Sequence, residues 1–445
     1  MLFAKYLLCN AIFYCATAKV EMRKKADIEL VRRQNRHIVL EALRVHGPVP
    51  RVQLGRITGL SPATITSIST QLIAEKSMLE VKNTAPRSSL AGRGRPTVRV
   101  SLNPAATRVI AMKVSIDGIE LALADFGGKT IASKIHPIET YDMKPEDFGA
   151  RAAEAVLDFL NDNNLRPSEV ARIGIATQGL ADTRNGTIPW SPAFKARHIP
   201  VVGPIEQATG IPCSISNDAN MIAEGLMERD RFAYTGTAAV VFMGYGIGMG
   251  LVINGEVYHG STGAAAEFGH MNHVPGGAHC RCGMHGCLEA YAADYAILRS
   301  ANNLPDSTSP PSSRVDLSIM IKLETAARMG DKNASAAYEK AGRAIGFGLA
   351  RMIALLNPDR IVLAGPGTRA LDLFEPALRK AIDEGVVEEL RHNVQIDVVP
   401  IHTDMIITGT IGTVLRQLDS EIFANGHLPQ KPITNGQKRL SLRMR

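Results

Sequence analysis

The sequence predicts an α/β protein in which a small α+β winged helix-turn-helix domain precedes a larger domain of alternating strands and helices. The chain has 445 residues, of which 45% are hydrophobic, enough for two or three packed cores. Residues 21–100 contain 15 Lys and Arg against 6 Asp and Glu, whereas residues 101–445 contain 33 against 37. An excess of positive charge that is confined to one segment is typical of nucleic-acid binding, although a soluble basic domain would have the same balance.

Residues 1–21 are predicted to be an extension outside the folded domains. The stretch LFAKYLLCNAIFYCATA is apolar and ends in small residues, as a signal peptide does. Lys5 and Asn10 interrupt it, and it is shorter than the roughly 20 residues of a membrane span. We therefore expect a cytoplasmic protein without membrane contact whose translation begins at Met22, with a signal peptide or anchor as the alternative.

Residues 22–100 are predicted to form the winged helix-turn-helix domain. Apolar residues recur at helical spacing over Leu30–Val45, and a second helix is expected over Arg51–Thr58. In that second helix the residues expected to face inward are Leu54 and Ile57. Gly59 follows it and permits the tight turn that the motif requires.

The third helix is predicted to begin after Ser61, which acts as the N-cap, with Pro62 at the first helical position. Its buried stripe contains Ile65, Ile68 and Leu72. Short side chains on the outward face would let the helix approach the major groove of DNA, although any solvated surface can carry them. These candidate DNA-binding residues are Ala63, Thr64, Thr66, Ser67 and Thr70.

A wing is predicted from two strands, Leu79–Lys82 and Thr97–Ser101, joined by the segment AGRGRP at Ala91–Pro96. Arg93 and Arg95 alternate with glycine in this segment. They are candidates to enter a minor groove, and a flexible cationic linker is an equally good interpretation.

Four residues have the chemistry of a metal site: His270, Cys280, Cys282 and Cys287. Three thiolates and an imidazole suit a tetrahedral Zn²⁺, and a closed set of four protein ligands is typical of a structural zinc. The C-x-C-x4-C spacing differs from the common paired ribbon. A disulfide is the alternative, but no secretory context favours it.

The larger domain begins with a series of strands and helices. The expected elements are strands over Arg108–Val114, Ile119–Asp125, Thr130–His136 and Ala171–Thr177, and a helix over Glu146–Asn161. A second series begins near Thr237, and it includes a helix over Ala334–Leu356 and a strand over Arg360–Ala364.

The zinc segment also carries a resemblance. Gly269–Met271 reads GHM and Cys280–Glu289 reads CRCGMHGCLE, which resembles the zinc signature of the ROK family of sugar kinases and sugar-responsive repressors. With the other features, the resemblance extends from about Arg33 to about Leu415. It implies an actin-like, ribonuclease-H-like, two-lobed ATPase fold. The implied segments are lobe 1 at 101–225 and lobe 2 with the zinc site at 226–420. Separately, the polar and basic composition of residues 421–445 predicts a disordered basic tail.

The phosphate-binding loops depart from the family pattern. Family kinases begin lobe 1 with D-x-G-G-T, whereas Lys113–Asp117 reads KVSID and lacks both the acid and the glycines. The second loop, Gly244–Gly250, carries Tyr245 where the family has a threonine, and the third, Gly365–Gly367, reads GPG. Bulky residues where the backbone must approach phosphate predict that ATP is not bound, so we expect no kinase activity.

The resemblance implies that the sugar site is better preserved. The candidate sugar-binding residues are Asn217, Asp218, Glu267, His270 and Glu289. Asp218 would be the vestige of the kinases' catalytic base, although Asn217 or Asp218 could equally serve as a helix N-cap. Ala193 replaces a family asparagine that contacts sugar, and Trp190 is expected to pack rather than to stack on a sugar.

The favoured function is a DNA-binding transcription regulator, a repressor of sugar-metabolism genes, whose degenerate kinase domain binds a sugar or sugar phosphate. Its expected partners are a double-stranded DNA operator and a second copy of the chain, as a homodimer or homotetramer, and its cofactor is structural Zn²⁺ without ATP. The alternatives are an active ATP-dependent sugar kinase and a DNA-binding scaffold that senses no ligand.

Overall fold

The structure, a computed structural model, describes residues 30–81, 98–391, 395–400 and 405–425. These residues fall into two compact units. Unit 1 contains the described residues 30–81, 98–107, 125–129 and 415–425. Unit 2 contains the described residues 108–124, 130–391, 395–400 and 405–414.

Unit 1 contains the predicted helix-turn-helix and both strands of the predicted wing. In chain order its elements are α1 over 30–46, β1 Val49–Pro50, α2 Arg51–Thr58, α3 Pro62–Ala74, β2 Met78–Val81 and β3 Arg99–Leu102. The three strands form an antiparallel sheet with β3 in the centre. The segment between β2 and β3 that carries Arg93 and Arg95 lies outside the described residues.

The turn between α2 and α3 follows the predicted chemistry. Gly59 has a φ of 71°, and the hydroxyl of Ser61 accepts a hydrogen bond from the Thr64 backbone N–H at 3.2 Å. The predicted buried stripe of α3 is confirmed. One expectation is wrong: Leu54 is fully buried, but Ile57 is 37% exposed. Three residues advance an α-helix by about 300°, so Ile57 lies at the edge of the buried face of this two-turn helix.

The first part of unit 2 contains the strands predicted for the first series and the helix predicted between them. Its elements are β4 Arg108–Ser115, β5 Gly118–Asp125, β6 Thr130–His136, α4 Pro145–Asp162, β7 Val170–Thr177, β8 Leu180–Asp182, β9 Thr187–Trp190, β10 Ile199–Pro200, α5 Val202–Thr209 and β11 Cys213–Asn217. The strand order is β11-β7-β4-β5-β6, and β8 to β10 form a separate small sheet.

The second sheet follows helix α6. The elements are α6 Asp218–Arg229, β12 Ala238–Met243, β13 Ile247–Ile253, β14 Glu256–Val257, α7 Glu289–Ala292, α8 Asp294–Ala301, α9 Leu317–Arg328, α10 Lys332–Leu356, β15 Arg360–Ala364, α11 Leu371–Gly385, α12 Glu388–Arg391, β16 Gln395–Val399 and α13 Met405–Asn425. The strand order is β14-β13-β12-β15-β16. Helix α6 spans the predicted lobe boundary at residue 225 and connects the two sheets.

The two five-stranded sheets share one connection plan. In each, the first strand along the chain is central: β4 pairs in parallel with β7, and β12 pairs in parallel with β15. The next strand outward, β11 or β16, is again parallel, and the opposite edge is an antiparallel hairpin, β5–β6 or β13–β14. A repeated sheet of this topology is the two-lobed plan that was expected for this part of the chain.

Glycines let the helices behind the second sheet approach closely. A Cβ added at Gly342 or Gly346 of α10 would lie 2.3 Å from a backbone carbonyl oxygen of α11. Only glycine is compatible with this helix–helix distance.

Helix α13 extends to Asn425, so the first five residues of the predicted disordered tail are helical. The rest of that tail lies outside the described residues. Within unit 1, Arg44 of α1 donates hydrogen bonds to both carboxylate oxygens of Asp419 in α13, at 2.9 to 3.2 Å, and to the Phe126 carbonyl at 2.7 Å. The Arg44 and Asp419 side chains are only 8% and 2% exposed.

No helix among the described residues combines the length and the apolar character that crossing a membrane requires.

Candidate ligand pocket and metal centre

Unit 2 contains a cavity, partly open to solvent, to which both five-stranded sheets contribute. Its walls come from the segments after β7, β9 and β11, from the loop between β12 and β13, and from the predicted metal segment. All five candidate sugar-binding residues line this one cavity: Asn217, Asp218, Glu267, His270 and Glu289. Residues distant in sequence therefore meet here, as the resemblance implied.

Asn217 and Asp218 lie where β11 ends and α6 begins. Asn217 is the N-cap: its side-chain oxygen accepts from the backbone N–H groups of Ala219 and Asn220, at 2.7 and 3.3 Å. Its side-chain nitrogen donates to the Gly179 carbonyl at 2.7 Å. One oxygen of Asp218 also accepts from the Ala219 N–H, at 2.9 Å. The capping role that sequence alone left open thus belongs mainly to Asn217.

The carboxyl group of Asp218 has a pKa close to neutral pH. Burial raises its pKa to about 7 from an ordinary value of 3.8, with a further increase from the nearby carboxylate of Glu267. The Ala219 backbone N–H and the charge of Lys113 oppose this increase in pKa. A carboxyl group with such a pKa can donate or accept a proton near pH 7.

Two more carboxyl groups face the cavity. Burial raises the pKa of Glu267. One oxygen of Glu289 accepts from the Ile247 backbone N–H at 3.2 Å, and the other from the Tyr295 hydroxyl at 3.4 Å. The thiol of Cys280 lies 3.7 Å from that second oxygen, so Glu289 contacts both the cavity and the cysteine cluster.

The four predicted metal ligands are together. One donor atom from each of His270, Cys280, Cys282 and Cys287 lies within 4.8 Å of the others. The Sγ atoms of Cys282 and Cys287 are 3.7 Å apart, and Nδ1 of His270 is 3.8 Å from Sγ of Cys280. A tetrahedral Zn²⁺ with bonds of about 2.3 Å to sulfur separates two sulfurs by about 3.8 Å.

The cluster has the chemistry as well as the spacing of a metal site. All cysteines among the described residues are free thiols, so the disulfide alternative is not formed there. Hydrogen bonds from Cys280 and Cys287 lower the pKa of Cys282, which favours the thiolate that binds metal. This donor set can hold a metal ion.

Trp190 connects the cavity to the cluster. Its buried ring lies edge-to-face with the His270 imidazole, with ring centroids 5.1 Å apart. The guanidinium of Arg197 lies 6.0 Å from the Trp190 ring and donates to the Cys282 carbonyl at 3.1 Å. Trp190 therefore both packs and lines the cavity. Ala193 is fully buried, and its carbonyl accepts from the Thr140 hydroxyl at 2.7 Å.

Charged groups of the first predicted phosphate loop have partners within the protein. Lys113 is paired with Glu120 at 3.0 Å, and Asp117 is paired with Arg314 at 2.7 Å. In the second loop, burial raises the pKa of the Tyr245 hydroxyl to about 12, and its ring lines the cavity.

Two polar residues of the cavity wall, Gln178 and Arg281, were missed by sequence reasoning. Gln178 directly follows the end of β7, and polar residues in that position of a parallel strand are a general signal of a site. Arg281 lies between two predicted metal ligands, Cys280 and Cys282. The sequence shows this position, but it does not show that the Arg281 side chain lines the cavity.

The predicted DNA-contacting face of α3 belongs to unit 1. Ala63, Thr66, Ser67 and Thr70 are exposed, and Thr64 is half-buried. The hydroxyls of Thr66 and Thr70 each donate to the carbonyl four residues earlier in the helix, at 2.8 Å. These two residues therefore present their methyl groups and their oxygens' remaining lone pairs outward.

Comparison with known proteins gives this geometry a context. The family model described as the ROK family matches residues 110–414. The chain is 26% identical over 370 residues to the DNA-binding transcriptional dual regulator NagC of Escherichia coli strain K12, covering 83% of this chain and 89% of NagC. It is 27% identical over 384 residues to the DNA-binding transcriptional repressor Mlc of the same strain, covering 85% and 92%.

Two solved structures share the fold. A ROK family transcriptional regulator, a homologue of E. coli Mlc, superposes with a TM-score of 0.71 at 24% identity, covering 87% of this chain and 97% of that one. A ROK family glucokinase from Streptomyces griseus superposes with a TM-score of 0.54 at 24% identity, covering 70% and 99%. The two-lobed sugar-kinase fold expected from the sequence is thereby confirmed. With more than half of its residues matched, the chain belongs to the ROK family.

Proposed function

We propose that the protein is a cytoplasmic transcription regulator, a repressor of sugar-metabolism genes, whose DNA affinity is controlled by a sugar or sugar phosphate. The observation that carries this proposal is the cavity, because all five candidate sugar-binding residues line it in a chain that also contains a helix-turn-helix. The names of the relatives NagC and Mlc, both DNA-binding transcriptional regulators, support it.

The chemistry of the cavity suits a polyol. Asp218, Glu267 and Glu289 offer carboxylate oxygens, which accept hydrogen bonds from pairs of hydroxyl groups, and Asn217 adds an amide. A ligand that lacked one of these hydroxyls would leave a buried carboxylate unpaired, so such a site discriminates strongly. Repression would respond to one sugar rather than to many.

We propose that His270, Cys280, Cys282 and Cys287 hold a structural Zn²⁺. When bound, the ion would fix the loop that supplies one wall of the cavity. His270 lies in both the cavity and the cluster, and Glu289 contacts Cys280, so the ligands would orient sugar-binding groups.

DNA recognition is proposed for the outward face of α3, namely Ala63, Thr64, Thr66, Ser67 and Thr70. Arg93 and Arg95 stay predictions for the minor groove. A homodimer would place two α3 helices in successive major grooves about 34–36 Å apart, and would read a palindromic operator.

The experiment that tests this function begins with purified full-length protein and genomic DNA fragments. Bound duplexes are selected and sequenced, and their affinity is measured by fluorescence anisotropy with and without each member of a sugar panel. We expect one duplex family to bind at nanomolar concentration and one sugar to change that affinity by at least fivefold. Specific DNA binding whose affinity no sugar of the panel alters would favour the alternative, a DNA-binding scaffold that senses no ligand.

Two matched variants sharpen this experiment. Ser67→Glu puts a negative charge on the exposed face of α3 and should reduce operator affinity at least tenfold. Ser307→Glu makes the same change on an exposed serine of unit 2 and should not. Equal effects of the two variants would contradict the proposed role of α3.

An active sugar kinase is the second candidate. The raised pKa of Asp218, about 7, favours it because a general base works best near the operating pH. The internal ion pairs of Lys113 and Asp117, and the Tyr245 ring in the second loop, lead us to propose that ATP is not turned over. Incubation with Mg-ATP and the same panel should therefore yield no sugar phosphate, and formation of one would reverse the order of the two candidates.

A further inference from the structure

We infer that the effector carries an anionic group, a phosphate or a carboxylate, and that Arg281 binds it. This inference rests on the proposed function, because it identifies the chemical class of the ligand that the cavity takes.

Arg281 is held rigidly at the cavity wall. Its guanidinium lies over two aromatic rings, 4.0 Å from the centroid of Tyr245 and 4.6 Å from that of Tyr295. Its N–H groups donate to three backbone carbonyls, those of Tyr245 at 3.0 Å and of Pro311 and Ser313 at 3.3 Å each. These contacts fix the plane of the guanidinium before any ligand arrives, so little side-chain entropy remains to be lost on binding.

Among the described residues no carboxylate oxygen pairs directly with the Arg281 guanidinium. Its charge does act on the buried carboxyl group of Asp294, where it opposes the increase in pKa that burial causes. Its three contacts are all neutral carbonyls, which use one N–H of each guanidinium nitrogen. Two N–H groups remain, one on each terminal nitrogen, since an arginine has five. Arg314, which approaches the same Tyr245 ring at 5.5 Å, is instead paired with Asp117 at 2.7 Å.

A neutral sugar would not use this arrangement fully. Its hydroxyls can be satisfied by the carboxyl groups of Asp218, Glu267 and Glu289 without any contact to a cation. The fixed guanidinium of Arg281, with two unused N–H groups, lies in the wall of the same cavity. An anionic group positioned there forms charge-assisted hydrogen bonds, which are about twice as strong as neutral ones.

The test compares each neutral sugar with its anionic derivatives by isothermal titration of the full-length protein. The probes are glucose, glucose 6-phosphate and glucuronate, and N-acetylglucosamine with its 6-phosphate. We expect an anionic member to bind at least tenfold more tightly than its parent, and the phosphate and carboxylate arms show which anion fits. Arg281→Gln should weaken that anionic ligand by about tenfold to a hundredfold, and should change the parent's affinity less than threefold.

Arg314→Gln is the matched control, because that guanidinium also approaches Tyr245 but already has an acidic partner; it should retain the preference. Arg281→Lys keeps the positive charge but lacks the planar guanidinium, and it should retain part of the preference for the anionic ligand. This variant separates the effect of the charge on binding from the effect of the ring contacts on folding. If neutral parents bind as tightly as their derivatives, or if Arg281→Gln weakens both classes equally, the inference is wrong while the proposed function stands. If no sugar of either class binds, both are wrong.

Discussion

At the scale of single residues, the buried carboxyl group of Asp218 should make the stability of the protein depend on pH. Its pKa is raised from 3.8 to about 7, so the folded chain holds this proton more tightly than the unfolded chain does. Its contribution to the free energy of unfolding is therefore fully present below about pH 4 and is lost as the pH rises towards 7.

Asp218→Asn removes this titration and should stabilise the protein at pH 8. We expect a gain on the order of 2 kcal/mol, less than the full shift implies, because the surroundings relax around a buried charge. The gain should shrink below pH 5, where the wild-type carboxyl group is protonated. Urea unfolding at pH 5 and pH 8 measures both values, and a larger gain at pH 5 than at pH 8 would contradict the assigned direction.

Metal binding by the cysteine cluster is tested by Cys282→Ser. Loss of one of four ligands should lower the zinc content measured by elemental analysis and should reduce the melting temperature, because binding energy contributes to folding. Cys213→Ser is the control, since that thiol belongs to β11 and donates to the Ile211 carbonyl outside the cluster. Unchanged zinc in the Cys282 variant would show that the ligand assignment is wrong.

How much of the site the sequence could predict depends on the residue. The metal cluster and the five sugar candidates were predictable, because spacing and a family signature identify them, and the structure brings each set together. Which of Asn217 and Asp218 is the main N-cap was not predictable, since it depends on which side-chain oxygen faces the α6 backbone. Arg281 was missed because the direction of its side chain is set by contacts with the rings of Tyr245 and Tyr295, which no local sequence pattern reveals.

At the scale of elements, glycines determine how closely α6 and α13 approach each other within unit 2. A Cβ added at Gly409 of α13 would lie 1.9 Å from the Met221 carbonyl oxygen of α6. Gly409→Ala should therefore force the helices apart and cost on the order of 3 kcal/mol. Gly203→Ala in α5, where nothing lies within 4 Å, should be neutral or stabilising by up to about 1 kcal/mol. Thermal unfolding of both variants measures this difference in stability, and similar melting temperatures would contradict the close packing of α6 and α13.

Element positions were largely predictable from the sequence pattern: β15 coincides with its apolar run, and β6 has the bounds that were predicted for it. The repeated plan of the two sheets was not visible as an internal sequence repeat. Pairing order depends on which strands meet in space, and two sheets of equal topology can be built from different apolar residues. The exposure of Ile57 was mispredicted for a similar reason, since α2 has only two turns and buries little more than Leu54.

At the scale of the whole molecule, the uneven charge predicts how DNA binding depends on salt. Residues 21–100 have nine more basic than acidic residues, whereas residues 101–445 have four more acidic than basic residues, so operator contacts should include many phosphates. If six to ten phosphates are neutralised, affinity should fall about 10³- to 10⁵-fold between 50 and 200 mM salt. Anisotropy measurements across that range give the slope, whereas sugar affinity measured in the same buffers should change far less. A flat salt dependence would argue against binding through this segment.

The ion pair between Arg44 and Asp419 has a consequence for biosynthesis. The two residues are 375 positions apart, so at about 5–20 residues per second the ribosome adds the second one about 20–75 s after the first. Until then the nascent helix-turn-helix must either leave a cationic side chain in water or bury it alone, which is strongly unfavourable. This ion pair of unit 1 therefore forms only after Asp419 has been synthesised, and a chain terminated before that residue would lack it.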